Sequence, residues 1–456
     1  MKLKVIILAA GKGTRMKSEK PKVLFNVAGK PMIDYVVKVA EALNSEEIAV
    51  VVGSHSENVI KHLEGKNITF AEQSEQRGTG HAVMCASKIF SKFDGKILIL
   101  CGDMPLVTYD TLKKFIEKSM ESELSFISVK TDNPAGYGRV VRSADKKVLK
   151  IVEEKDANEN EKRITEINTG IYLVDAKVLN ERLSNLSNRN AQNEYYLTDI
   201  IKGGEDVYLA DDEKEFMGIN DKFQLSCASK ILYKNRAISH MKSGVEIIDF
   251  ENCYIDEDVF IGIDTVIYPN VYIQGNSKIG KNCTIYPGVR VVDSVIEDGC
   301  EIKDNCLITN SFVGEKSVIG PMAHLRPDTF LSGNNKIGNF VETKKAKIGE
   351  NSKASHLTYL GDCEIGKDVN VGCGTITCNY DGISKHKTFI GDSVFVGSDV
   401  QFVAPVSIGS DSLIAAGSTI TKDVPPGALA VARAEQRNIE GWVKKWRDRK
   451  KKKEND

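Results

Sequence analysis

From Ile255 onward the chain places an aliphatic residue at every sixth position without a miss: Ile255, Ile261, Ile267, Ile273, Ile279, Ile285 and Val291. A second register follows in Val313, Ile319, Leu325, Leu331 and Ile337, and a third in Ile390, Val396, Phe402, Ile408, Ile414 and Ile420. Glycine often comes next, as in Ile279-Gly280, Ile319-Gly320, Ile337-Gly338 and Ile408-Gly409. A period of six is neither the helical period nor the strict alternation of a half-buried strand. It predicts a parallel β-helix, in which each flat face turns one aliphatic side chain inward and small or turn-forming residues make the corners. A chance cluster in a β-sandwich would not give seven consecutive hits in register. Two segments interrupt the pattern, Leu331-Ser332-Gly333-Asn334-Asn335 and residues 378–387. Both predict loops thrown out from the prism, and loops on a rigid scaffold are where function collects.

The first half follows other periods. Apolar runs at 5–8, 48–52, 97–101 and 124–129 read as strands, separated by helix-like stretches such as 32–43 and 81–90. That alternation predicts an α/β, doubly wound (Rossmann-like), mostly parallel sheet with ligands at the carboxyl ends of its strands. Residues 1–222 form this domain on the sequence pattern, 223–250 a helical linker, and 251–456 the repeat domain with its basic tail.

The 456 residues carry 62 Lys and Arg against 63 Asp and Glu, so no global field argues for nucleic acid. The one basic block, 444–453, reads as a solvated, poorly ordered end. Ten cysteines without a Cys-x-x-Cys pair indicate neither a zinc site nor a disulfide framework, and fit reduced thiols in the cytoplasm. Lys2 and Lys4 before an apolar run imitate a signal peptide, but the run stops at Ala10, short of the about 7–15 residues required. No stretch approaches the about 20 apolar residues of a membrane span, so membrane insertion is not expected.

Chemistry concentrates first in Val5-Ile6-Ile7-Leu8-Ala9-Ala10-Gly11-Lys12-Gly13-Thr14-Arg15-Met16, then Pro21-Lys22. A strand breaks into a glycine loop whose amides can approach phosphate oxygens, and Arg15 and Lys22 add charge where a phosphoryl-transfer transition state accumulates it. The loop lacks the Gly-Lys-Ser/Thr ending of a P-loop, and Met16 stands where the third glycine of Gly-x-Gly-x-x-Gly belongs. A bare Gly-x-Gly is most often an ordinary strand-to-loop turn; the longer string is not.

That string, Leu-Ala-Ala-Gly-x-Gly-Thr-Arg-Met…Pro-Lys, resembles the signature of sugar-1-phosphate nucleotidyltransferases. The hexads resemble the left-handed β-helix of hexapeptide acyltransferases, which generally trimerise and hold acyl-CoA between coils. Over nearly the whole chain the pattern resembles the bacterial bifunctional N-acetylglucosamine-1-phosphate uridylyltransferase and glucosamine-1-phosphate N-acetyltransferase family. The resemblance is most specific at 73–81, 102–106, 136–139, 166–170 and 193–199, and in the second half at 325–327, 341–345, 355–362 and 378–382. It implies an enzyme that acetylates glucosamine-1-phosphate with acetyl-CoA and then transfers UMP from UTP. The product, UDP-N-acetylglucosamine, would feed peptidoglycan, lipopolysaccharide or teichoic acid synthesis.

For the first site the resemblance implies a UTP pocket of Leu8, Ala9, Ala10, Gly11, Lys22, Gln73, Gly78, Thr79, Cys101, Gly102 and Asp103, with Gly138, Glu153 and Asn168 on the sugar. Asp103 at a strand end reads as a Mg²⁺ ligand, with Asn220 a second oxygen and phosphates and water completing the shell. The bland reading of Asp103 is a turn cap before Met104-Pro105. Gln73 offers donor and acceptor to a uracil edge. For the second site His356 is the candidate base, although a lone histidine in a β-rich segment is more often structural. Arg326 and Lys344 would grip phosphate. The resemblance adds Tyr359 and Asn370 on the amino sugar, and Cys373, Asn379, Tyr380, Ser398, Ala416 and Arg433 around acetyl-CoA, with the Ser398 amide a candidate oxyanion donor. Cys373 stands where many relatives carry Ala, and a free thiol beside a thioester could be alkylated. The family also implies a homotrimer.

Two competing readings are a different sugar nucleotidyltransferase with a β-helical tail, and a non-catalytic exchange-factor subunit built on the same modules. The first lacks the His356–Tyr359 motif; the second tends to lose the loop basics and the carboxylate that Arg15, Lys22 and Asp103 supply here.

Overall fold

A computed structural model describes residues 2–53 and 56–453, divided into two compact units, Met1–Arg236 and Ala237–Asp456. In the first unit the main elements are β1 (Leu3–Leu8), α1 (Met32–Ala42), β2 (Glu47–Gly53), β3 (Ile68–Gln73), α2 (Thr79–Ser87), β4 (Lys96–Cys101), β5 (Leu124–Lys130), β6 (Glu166–Asp175) and β7 (Asp206–Ala210). The sheet runs β7-β5-β6-β4-β1-β2-β3 and is parallel except for β6, which lies antiparallel between β5 and β4. Its central strands are apolar on both faces because helices cover both, which is why they read as continuous runs rather than alternations. Val5 and Ile7 pack into one buried cluster and Ile6 into another, on opposite faces of β1. The strands β3, β6 and β7 escape the sequence reading, since Ile68-Thr69-Phe70-Ala71-Glu72-Gln73 is half polar. The chain places β2 and β3 to one side of β1 and β4 to the other, so a crevice opens at the carboxyl ends of β1 and β4.

The helix α3 (Lys222–Lys242) carries the chain between units, and Ala237 within it already packs into the core of the second. That core is a continuous column of the hexad residues. Ile255, Ile273 and Val291 sit in register on one face, and Ile267, Ile285 and Ile302 on another. Each short strand pairs with the third one after it, so the coil is three-sided. The first register gives way to the second because two corners, after Val291 and after Ile308, are one residue shorter than the six-residue repeat. Asp293 and Asn310 take a left-handed backbone at those corners, a conformation that short polar side chains tolerate.

Two expectations are corrected. The segment 331–335 is not an extruded loop but an ordinary corner with a buried polar pin. Asn335, 1% exposed, accepts from the Gly333 amide at 3.0 Å and donates to the carbonyls of Gly349 at 2.7 Å and Ser352 at 3.2 Å. The aliphatic column runs on through it from Leu331 to Ile337. The basic tail is not irregular either, since Trp442–Lys453 is a helix, α4. The segment 378–387 does leave the prism, between strands Ile376–Cys378 and Thr388–Ile390.

Asn335→Ala leaves the buried Gly333 amide without its acceptor and strips a second donor from the Gly349 and Ser352 carbonyls, and should cost about 1–3 kcal/mol, whereas exposed Ser332→Ala should stay within about 0.5 kcal/mol. Thermal unfolding followed by circular dichroism distinguishes the two; equal melting points would show that the corner does not depend on its pin.

Candidate functional sites

At the crevice of the first unit lies a cleft of about 510 Å³. Backbone bonds hold its rim together: the Gly102 amide donates to Leu8 O, and the Ala9 amide to Val51 O, each at 2.9 Å. Of the predicted residues, Leu8, Ala9, Ala10, Gly11, Lys22, Gln73, Gly78, Thr79, Cys101 and Asp103 line it. Gln76 and Glu194 line it too, and sequence reasoning missed both. Gln76 donates through Nε2 to Ala10 O and so fixes the start of the glycine loop. The two loop glycines differ in purpose. Gly11 borders the cleft, whereas Gly13 has φ near 60° and lies so close to the Lys22 stem that a methyl group would sit 2.8 Å from its Cβ. Gly13 therefore lets the loop pack on the lysine and aim it.

The Lys22 ammonium is paired with Asp103 Oδ2 and donates to Asn220 Oδ1 at 3.1 Å. Asn220 reaches this point because the Ile219 amide donates to Asp103 O at 3.0 Å and the Asn220 amide to Gln224 Oε1 at 2.7 Å. Two oxygens from residues 117 positions apart thus converge on one cation. Arg15 is not brought to this group: it is exposed in the turn Thr14–Met16 and does not line the cleft. Gln73 is 3% exposed, and its Nε2 donates to Gly78 O at 3.0 Å and lies 3.1 Å from His81 Nδ1. Its donor is engaged within the protein, and Oε1 is the atom left for a ligand.

Burial pushes the Cys101 thiol up to about 12, with the Asp103 charge adding and Lys22 opposing, so this thiol stays protonated. It meets Gly170, whose amide donates to Asn168 Oδ1 at 3.2 Å. Asn168 is bound in turn to Gly138 O through its own amide at 2.8 Å. A methyl group on Gly138 would lie 3.6 Å from Glu153 Oε2, so Gly138, Glu153 and Asn168 form one cluster. Desolvation raises the Glu153 carboxyl, against a 3.0 Å bond from Thr198 Oγ1 and with help from Asp199, Asp156 and Glu194.

In the second unit, the long strands β8 (Lys336–Ile348) and β9 (Lys353–Ile365) lie in parallel register, with Asn339 beside His356, Glu342 beside Tyr359 and Lys344 beside Gly361. Following the same register, Cys373, Ser398 and Ala416 stack above His356 along one edge of the prism. Four predicted residues thereby share a line, and Arg433 reaches it by donating to Ala416 O at 2.8 Å. His356 Nδ1 lies 3.2 Å from Asn339 Oδ1. With Nδ1 donating, the lone pair resides on Nε2, facing outward from an exposed ring. Asn339 was not legible as a partner because only the coil register brings it there.

Arg326 and Lys344 do approach one another, and a third cation, Lys385 from the 378–387 loop, joins them. Lys385 crowding, with Arg326 contributing, lowers the Lys344 ammonium below the usual lysine value. Arg326 is meanwhile tied to Glu342 at 2.7 Å. The loop is closed on itself: Asp381 accepts from the Ile383 and Ser384 amides and from His386, and Tyr380 bridges to Lys385. The Ser384 amide and His386 hold the Asp381 carboxyl well below the usual range. Asn379 donates to Asp362 Oδ2 at 2.5 Å, and Tyr380 is exposed. Asn370 lies beside Lys353 and Phe395, on the other side of the His356 edge from Tyr359, so one chain does not unite these two.

Three family models match: nucleotidyl transferase over residues 4–215, the left-handed β-helix (LbH) domain of EIF2B subunit epsilon over 239–343, and the six-repeat bacterial transferase hexapeptide over 387–422. The exchange-factor match is confined to the prism and shares its architecture. Fold and sites together define a nucleotidyl transferase joined to a left-handed hexapeptide-repeat transferase. Curated relatives agree over the full length: the bifunctional protein GlmU of Pelobacter propionicus is 50% identical over 446 residues, 96% of this chain and 97% of that protein. Those of Geotalea uraniireducens and Geotalea daltonii are 51% and 52% identical, covering 96% and 97% of this chain and 98% of each relative. The chain belongs to the bifunctional GlmU family.

Because burial raises the Glu153 carboxyl, its protonated form favours the fold. That stability is fully present below the unfolded carboxyl range and is lost as pH rises through the raised value. Glu153→Gln should therefore melt with the native protein at pH 4 and above it at pH 7–8. A melting difference that does not grow with pH would show that Glu153 is not desolvated.

Proposed function

We propose that the chain makes UDP-N-acetylglucosamine, a cell-wall precursor, in two steps. The second unit acetylates glucosamine-1-phosphate, and the first transfers UMP from UTP to the resulting N-acetylglucosamine-1-phosphate. The convergence of Lys22, Asp103 and Asn220 carries the reading of UMP transfer. Their arrangement fits a Mg²⁺ site, since a carboxylate and an amide oxygen already share one cation, the lysine ammonium. Among the described residues no group of three or more His, Cys, Asp or Glu could hold a metal, which suits an ion that takes its remaining ligands from phosphates and water. Asp103 and Asn220 would hold it, and when bound it supplies charge neutralisation on the triphosphate. Lys22, displaced toward the α-phosphate, stabilises the charge that builds there as the sugar phosphate oxygen attacks and pyrophosphate leaves. Gln73 Oε1 accepts the uracil N3–H. Gly138, Glu153 and Asn168 hold the acetylated sugar, Glu153 toward a hydroxyl that tolerates a weakly acidic partner. Arg15, exposed in the turn that follows the glycine loop, adds positive charge toward the triphosphate.

In acetyl transfer, Arg326, Lys344 and Lys385 bind the sugar phosphate, whose charge relieves their mutual repulsion. His356 Nε2 takes the proton from the substrate amine as that nitrogen attacks the acetyl-CoA thioester and the thiolate of coenzyme A departs. The edge bearing Cys373, Ser398, Ala416 and Arg433 lies along the acyl carrier, and the Ser398 amide faces the developing oxyanion. The separation of Asn370 from Tyr359 supports a site shared between neighbouring copies, as in a homotrimer. Soluble substrates and the absence, among the described residues, of a helix long and apolar enough to cross a membrane support a cytoplasmic location.

Asp103→Ala should abolish Mg²⁺-dependent UDP-N-acetylglucosamine formation, read by pyrophosphate release, with acetyl transfer intact; near-native turnover would refute the metal assignment. His356→Ala should lower acetyl-transfer turnover by about 10²–10⁴-fold with little change in substrate affinity. Arg326→Ala should instead weaken glucosamine-1-phosphate more than acetyl-CoA. If His356→Ala changes only affinity, the base lies elsewhere.

A further inference from the structure

A side-chain amide offers a ligand an acceptor or a donor according to which way it is turned. Gln73 ends β3 and is buried, and two neighbours set the turn of its amide. Nε2 lies 3.0 Å from Gly78 O and 3.1 Å from His81 Nδ1. Gly78 O can only accept, so the amide atom facing it is the nitrogen. An amide nitrogen accepts no hydrogen bond, so His81 Nδ1 is the bare ring nitrogen and the proton of the neutral ring sits on Nε2. Both amide hydrogens are thus held inside the protein. The two acceptors are themselves fixed. Gly78 has φ near 101°, and a methyl group there would lie 2.6 Å from Tyr195 O. The Gly80 amide donates to Tyr195 O at 2.8 Å, the Tyr195 amide to Arg77 O at 2.7 Å, and the Leu197 amide to Thr79 Oγ1 at 3.1 Å. His81 follows in the first turn of α2, its ring centroid 6.3 Å from that of Tyr195.

We propose that His81 is a positioning residue that sets nucleobase specificity, by holding the Gln73 amide with Oε1 toward the base. The proposal rests on the reading that Gln73 Oε1 accepts from uracil N3–H. Uracil carries a hydrogen at N3 and suits that acceptor. Cytosine presents a bare lone pair at N3, and two acceptors would then face each other. To serve cytosine the amide must turn over, which forfeits the bonds to Gly78 O and His81 Nδ1 and sets Oε1 against both of them. Preference for a uridine over a cytidine nucleotide therefore comes from the cost of leaving buried polar groups unpaired. His81 acts through Gln73 and need not touch the nucleotide.

The test uses the full-length protein with N-acetylglucosamine-1-phosphate and Mg²⁺, and compares the KM of UTP with the inhibition constant of CTP, both read from UDP-N-acetylglucosamine formation. His81→Leu removes the acceptor and should narrow the preference for UTP over CTP about five- to tenfold, the worth of one neutral hydrogen bond. His81→Asn, whose Oδ1 can accept where Nδ1 does, should keep most of the preference. His81→Lys, which can only donate, should narrow it further than His81→Leu. The KM of the sugar phosphate should stay native in all three, which shows that the first unit is folded. Equal narrowing by His81→Leu and His81→Asn would make the ring merely structural and overturn the proposal. So would a native preference in His81→Leu beside a lost one in Gln73→Leu. A native preference in Gln73→Leu itself would instead show that Gln73 does not read the base, and the role of His81 would fall with that contact.

Discussion

Everything in the second unit depends on side chains lying directly above their counterparts one coil away. A parallel strand pair has no freedom to slide once one face is buried, because a slip of one residue would turn the aliphatic column outward. Ile273 must sit between Ile255 and Val291, and that condition places every other residue of the coil. His356 is beside Asn339 for this reason, and Cys373, Ser398 and Ala416 follow on the same edge. Where the column meets the site its content changes: Thr343 and Thr377 replace aliphatic residues and are fully buried. They are satisfied locally, Thr343 by Thr329 at 3.0 Å and Thr377 by the Gly361 amide at 2.7 Å. Buried hydroxyls tie neighbouring coils together just where Lys344 and Tyr359 are presented.

The first unit solves a different problem, bringing distant residues of opposite charge into one cleft. Lys22 is set by the glycine turn beneath its stem, Asp103 by the end of β4, and Asn220 by a backbone bond to Asp103. These devices are main chain, braced by the Gln76 and Gln224 side chains, so the site is preorganised before any ligand arrives. The buried thiol of Cys101 and the raised carboxyl of Glu153 follow from the same enclosure.

Periodicity made the prism legible, because a repeat of identical demands writes itself into the sequence. The central strands of the sheet were legible for the same reason, as was the string around Gly11 and Lys22. What stayed hidden was whatever depends on contact across coils or loops. Asn339 and Lys385 look like ordinary surface polar residues, and only register and loop closure reveal what they touch. Asn335 shows the converse: the segment 331–335 reads as a break in the repeat, whereas its amide is buried and bonded into a regular corner.

The prism also decides how the protein meets soft electrophiles. Cysteines lie along its interior, and Cys253, Cys283, Cys300, Cys306 and Cys363 are buried there. Cys101 is kept protonated by its surroundings. Of the ten thiols, only Cys373 is exposed, and it stands one coil above His356. Oxidative or alkylating stress would therefore strike the acetyl-transfer edge first and spare nucleotidyl transfer. A cell under such stress would lose the supply of the acetylated intermediate before it lost the means to activate it.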